Sequence, residues 1–173
     1  LGVFVLVATV PMLLSLLLRH TALSAGERPA VVGILLLLNG GVLYLAGRFG
    51  RREKPDKAIS LLDVFLVGLA QIFAVLPGIS RSGVTISVGL MRGFSKSFAV
   101  KFSFLLLIPA VLGAAIVAVY QAVTLGFDVG LLPMYLAGMA AAAVSGYFAI
   151  RLLRWIATRG GIGGFAYYCW GAG

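Results

Sequence analysis

The chain has 173 residues, of which 61% are hydrophobic and only 11% charged, and its mean hydropathy is +1.09. A soluble domain carries about 25% charged residues, so this composition excludes an ordinary water-facing fold and places the chain in a bilayer. The net charge of +9 could suit nucleic acid, but the basic residues sit in short clusters beside apolar runs, a pattern that reports membrane topology.

Five apolar runs follow in order: Leu1 to Leu18, Ala30 to Ala46, Ile59 to Leu76, Phe102 to Tyr120 and Leu131 to Ile156. Most approach the ~20 residues that cross hydrocarbon as a helix. None alternates with period two, as a barrel strand would. The expected class is therefore an all-α integral membrane protein, with residues 1–173 forming one membrane domain. Leu1 already lies inside an apolar run, and Phe165 to Gly173 begins a run too short to span, so both ends are expected to be cut. Cys169 is the single cysteine, which leaves no internal disulfide and no multi-cysteine metal site.

The arginines and lysines test whether Ile59 to Met91 crosses the membrane or dips in and returns. If it crosses, the basic residues divide 8 to 5 between the two sides; if it returns, they divide 11 to 2, with Arg81 counted in neither. Positive residues gather on the cytoplasmic side, so a re-entrant hairpin over 59–91 is expected. Pro77-Gly78 offers the turn, and Ala70, Ala74 and Gly78 recur every fourth residue as a small-residue stripe that would let helices approach closely. Ser82 to Met91 is too short to span but can form the returning arm. Irregular backbone at membrane depth must be buried or line a watery cavity, so SRSG at such a tip implies a polar cavity.

Ser80 to Thr85 at the start of that arm would gather free backbone N–H groups, a positive helix end and hydroxyls around one point, a geometry that suits an anion. Arg81 adds a planar fork matched to two phosphate oxygens. Gly78 and Gly83 would let a phosphate approach the backbone. Read singly, Ser80 is an N-cap and Arg81 an interfacial cation; read together inside a re-entrant tip, they make a functional anion site.

Other polar residues read more plainly. His20 fits a membrane interface beside Arg19, Asp63 and Asp128 fit solvated or capping positions, and Glu53 and Asp56 relieve local positive charge. Trp155 and Tyr168 fit an interfacial belt. Gln71 could either hydrogen-bond into the tip or pack between helices. The chain offers a phosphate clamp without a convincing general base, an acidic pair or a well-placed histidine.

PGISRSGVT, with Gln71 ahead of it and FSFLLLIPAVLGA (Phe102 to Ala114) behind it, resembles the second signature of the undecaprenyl pyrophosphate phosphatase family, also called the bacitracin-resistance protein family. The resemblance runs from about Leu1 to about Tyr168. It implies a fold of two inverted repeats, each with a re-entrant hairpin, of which this chain supplies the second. It also implies that Ser80, Arg81, Ser82 and Thr85 hold a pyrophosphate, with Arg81 and Ser80 as catalytic candidates. Glutamates, a histidine and most of a divalent-ion site (Mg or Ca) would come from the other repeat. The implied substrate is a polyprenyl pyrophosphate lipid, dephosphorylated to the carrier lipid of peptidoglycan synthesis in the bacterial inner membrane. Membrane lipids, the other repeat and another copy of the chain are the expected partners, and nucleic acid is not. FAYYCW departs from the family's aromatic stretch ending in tyrosine-arginine, with Cys169 in the place of the arginine. A carrier or flippase of a phosphorylated lipid is the alternative, and a structural membrane subunit would require an idle Arg81.

Overall fold

A computed structural model describes residues 2–50, 53–55, 58–126, 129–159 and 163–173. Among them run eight α-helices and no strand: α1 (Gly2–Leu13), α2 (Arg19–Gly26), α3 (Pro29–Phe49), α4 (Leu61–Phe73), α5 (Arg81–Met91), α6 (Lys96–Leu125), α7 (Leu132–Arg159) and α8 (Gly163–Ala172). Three of them, α3, α6 and α7, are long and apolar enough to cross a membrane, and the protein is a helical membrane protein.

The first apolar run does not form one spanning helix. It divides at Leu13, where a 3-10 segment, Leu14–Leu18, separates α1 from α2. Pro11 inside α1 has no N–H to give the ladder, and the 12 residues of α1 reach only ~18 Å at ~1.5 Å each.

Helices α4 and α5, with 13 and 11 residues, are each too short for the ~30 Å of hydrocarbon. They form a hairpin whose two ends meet. Asp63, in the first turn of α4, pairs with Arg92 just past α5, with 2.6 Å between Oδ1 and Nη2, and with Lys54 at 3.4 Å. The Lys54 N–H also donates to the Gly93 carbonyl at 2.8 Å. The start of α4 and the end of α5 therefore lie side by side.

The far end of the hairpin turns at Gly78, whose φ of +93° suits glycine, and a Cβ there would lie 2.8 Å from the Val32 carbonyl oxygen of α3. Two residues on, the Ser80 N–H donates to Asn39 of α3 at 3.3 Å. Asn39 stands midway along α3, so Ser80 sits ~15 Å from either end of a spanning helix. The tip is level with the middle of α3.

In lipid the hydrophobic effect does not drive helices together, so tight packing and polar pairs hold the hairpin in place. Phe94, Phe102 and Leu106 are buried where the hairpin meets α6, with the rings of Phe94 and Phe102 edge to face. On the other side Gly68 admits α1 so closely that a Cβ would lie 2.5 Å from the Ala8 carbonyl oxygen. That contact replaces the expected stripe of Ala70, Ala74 and Gly78, because α4 ends at Phe73 and Gly78 belongs to the turn. Helix α8 runs antiparallel along α3, with Gly40 beneath the Trp170 ring and Gly33 beside Gly173. Helix α7 is exposed along most of its length, as is α6 beyond Ala110, surfaces suited to lipid.

Candidate anion site at the hairpin tip

Helix α5 begins at the tip, and its first turn decides what the tip can bind. Ser80 is the N-cap: its Oγ accepts from the Gly83 N–H at 3.1 Å, and its carbonyl accepts from the Val84 N–H at 2.9 Å. The Ser80 N–H is taken by Asn39 Oδ1. Among the described residues the N–H groups of Arg81 and Ser82 have no acceptor within the protein. Two amides thus point out of a positive helix end.

Arg81 and Ser82 are half-buried, and among the described residues the Arg81 guanidinium makes no hydrogen bond or ion pair. A charge level with the middle of a helix long and apolar enough to span calls for an anionic partner. Beside the tip a cavity of about 400 Å³, mostly apolar, is lined by Leu43, Ile79 and Ile86 together with Ser80, Ser82 and Gly83. Gly83 has little space to spare, since a Cβ would stand 3.0 Å from the Ser80 side chain.

Thr85 differs from its neighbours. It is buried, and its hydroxyl bonds the carbonyls of Arg81 and Ser82 and, at 2.6 Å, the hydroxyl of Ser103 in α6. Its oxygen is committed within the protein, and it ties the SRSG turn to the FSF segment of α6. Gln71 is also buried, and its amide reaches the Ala8 carbonyl of α1 at 3.5 Å rather than the tip, while its Oε1 has no protein partner. Asp63 caps α4, as the sequence suggested, but it is 1% exposed and ion-paired rather than solvated. Glu53, Trp155 and Tyr168 are exposed. Asp56, Asp128 and the His20 side chain lie outside the described residues.

Two residues that the sequence did not single out as site residues complete the tip. Asn39 is buried, accepts from the Ser80 N–H and donates through Nδ2 to the Cys169 sulfur of α8 at 3.3 Å. An isolated amide inside the Ala30 to Ala46 run was the available signal. Ser103 is the second, hidden in an aromatic motif.

The donors at the tip are amide N–H, guanidinium and hydroxyl, a set that suits an anion and not a cation. Among the described residues no group of three or more His, Cys, Asp or Glu could hold a metal ion. A divalent ion does not fit the residues of this tip.

The family model described as bacitracin resistance protein BacA matches residues 1–173. An undecaprenyl-diphosphatase of Alkaliphilus metalliredigens is 38% identical over 174 residues, covering 100% of this chain and 63% of the relative. One from Methanothermobacter thermautotrophicus is 40% identical over 174 residues, covering 98% of this chain and 94% of its own. A third, from Halothermothrix orenii, is 40% identical over 139 residues, or 80% of this chain and 54% of the relative. The chain thus spans under two thirds of the first and third relatives and nearly all of the second. With the matched model covering every residue, the hairpin and its SRSG tip included, the chain belongs to the BacA bacitracin-resistance family.

Proposed function

We propose that the protein carrying this chain is an undecaprenyl-diphosphatase, a multi-pass enzyme of the bacterial inner membrane that hydrolyses undecaprenyl pyrophosphate to undecaprenyl phosphate and inorganic phosphate. The observation that carries this reading is Arg81: a mid-depth guanidinium with no ion pair among the described residues, beside two unbonded helix-start amides, in a family whose relatives bear that name. In the reaction a water oxygen joins the terminal phosphorus, the bridging P–O bond breaks, and the bridging oxygen leaves on the lipid phosphate. Negative charge grows on the oxygens around that bond. The fork of Arg81 and the N–H groups of Arg81 and Ser82 can meet it with preorganised donors. Ser80 holds the turn in shape as its cap, Gly78 and Gly83 keep the backbone approachable, and Thr85 anchors the arm to α6. Apolar surface beside the tip suits the isoprenoid tail.

Among the described residues no carboxylate or histidine lines the cavity beside the tip. The one buried carboxylate of the hairpin, Asp63, is ion-paired at its opposite end. The family resemblance assigns glutamates, a histidine and a divalent ion to another repeat. Phosphate release from undecaprenyl pyrophosphate, measured in detergent on the natural-length protein, tests the reading. Arg81→Lys keeps the charge but loses the fork, and turnover should fall ~10²–10³-fold, the scale of one lost oxyanion donor. Near-normal turnover would rule out the clamp. Lipid binding without phosphate release by the unaltered protein would favour a carrier instead.

A further inference from the structure

The two arms of the hairpin start with the same device, completed differently. At α4 the N-cap Ser60 accepts from the Asp63 N–H at 3.2 Å, and Asp63 Oδ2 reaches back to the Ser60 N–H at 3.1 Å, closing a reciprocal capping box. At α5 the N-cap Ser80 accepts from the Gly83 N–H, but Gly83 has no side chain to return the bond. The Ser80 N–H would be left without an acceptor at mid-membrane, where water cannot be relied on to satisfy it. Asn39 supplies that acceptor from α3, across 41 positions of sequence.

The choice of residue fits the site. A glutamate at position 83 would close the box locally, as Asp63 does at α4, but it would set a carboxylate in the first turn beside Arg81, where an anion must bind. A neutral amide arriving from another helix satisfies the same N–H without that charge. Its orientation is fixed on both sides: a backbone N–H can only donate, so the atom facing Ser80 is Oδ1, and Nδ2 then points to the Cys169 sulfur, an acceptor too weak to compete for the amide.

We propose that Asn39 is a positioning residue for the phosphate clamp: by accepting the Ser80 N–H it fixes the direction in which the amides of Arg81 and Ser82 and the Arg81 guanidinium face the substrate. The inference rests on the proposed phosphatase reading, and Asn39 itself need not touch substrate.

The test compares Asn39→Ala, Asn39→Thr and Asn39→Asp in the natural-length protein by steady-state phosphate release, with thermal melting as a check on folding. Alanine removes the acceptor, so kcat should fall roughly ten-fold, the consequence of leaving one buried donor unpaired. Threonine keeps an acceptor oxygen and covers the case in which alanine does not fold; its kcat should lie between alanine and wild type. Aspartate restores the acceptor but brings a charge to the tip, so kcat should recover while KM rises, and added salt should lower that KM. A purely structural asparagine would move the melting temperature and leave this kcat-against-KM split absent. Wild-type kcat in folded Asn39→Ala, or the same kcat and KM in the aspartate and alanine variants, overturns the inference. Arg81→Lys, run alongside, separates the outcomes: its inactivity with an unaffected Asn39→Ala leaves the clamp standing and removes Asn39 from it.

Discussion

At the base of the hairpin α4 is capped by Ser60 and closed by an aspartate that also binds Arg92 and Lys54; at the tip α5 is capped by Ser80, carries glycine where α4 has that aspartate, and takes its acceptor from Asn39. The same local requirement, an acceptor for the N-cap N–H, is met by an acid at the base and by a neutral amide at the tip, where we propose that an anion binds. Charge also divides the two ends. At the base the buried carboxylate has its partners within the protein, whereas at the tip the half-buried Arg81 makes no ion pair among the described residues.

The largest expected effect comes from giving the tip the chemistry of the base. Gly83→Glu and Gly83→Gln crowd Ser80 equally, so their ratio isolates charge. Two like charges a few ångströms apart near a partly wet site repel by ~4 kcal/mol, and phosphate release by the glutamate variant should be at least roughly a hundred-fold below that of the glutamine variant. Equal activities would show that no anion binds in this turn.

Weakening the base should act on stability rather than chemistry. Asp63→Asn keeps a capping oxygen but loses both ion pairs. Because the Arg92 and Lys54 side chains are 39% and 44% exposed, water takes up much of the loss, and about 1–2 kcal/mol of stability should disappear. Melting with and without urea measures it, and turnover per folded molecule should stay near wild type. Ser60→Ala, the smallest change, should cost about 1 kcal/mol, the value of one N-cap. A variant of either kind that melts normally but loses activity would tie the base directly to the chemistry.

Legibility in the sequence followed the range of the interaction. The turn at Pro77-Gly78 and the Ser80 cap could be read from a few adjacent residues, because Pro-Gly and SRSG act locally. Interactions between helices could not. Asn39 looked like one amide in an apolar run until α3 was placed beside the tip, and Asp63 looked solvated because Arg92 lies 29 positions away. Nor does the motif show that the Thr85 hydroxyl meets Ser103, 18 positions on. Hydropathy likewise gives no sign that the run from Leu1 to Leu18 divides into α1 and a 3-10 segment after Leu13.

The proposed anion site requires a hairpin that enters and leaves the membrane at the same face and turns halfway across. Single cysteines at Lys54, Lys96 and Arg28, placed in a Cys169→Ser background and labelled with a membrane-impermeant thiol reagent in oriented vesicles, test it directly. A fourth, at Ser82, is labelled with and without inorganic pyrophosphate. Positions 54 and 96 should react from one side and 28 from the other, and pyrophosphate should slow labelling at 82. Labelling of position 96 from the side of position 28, or no protection at 82, would contradict the account.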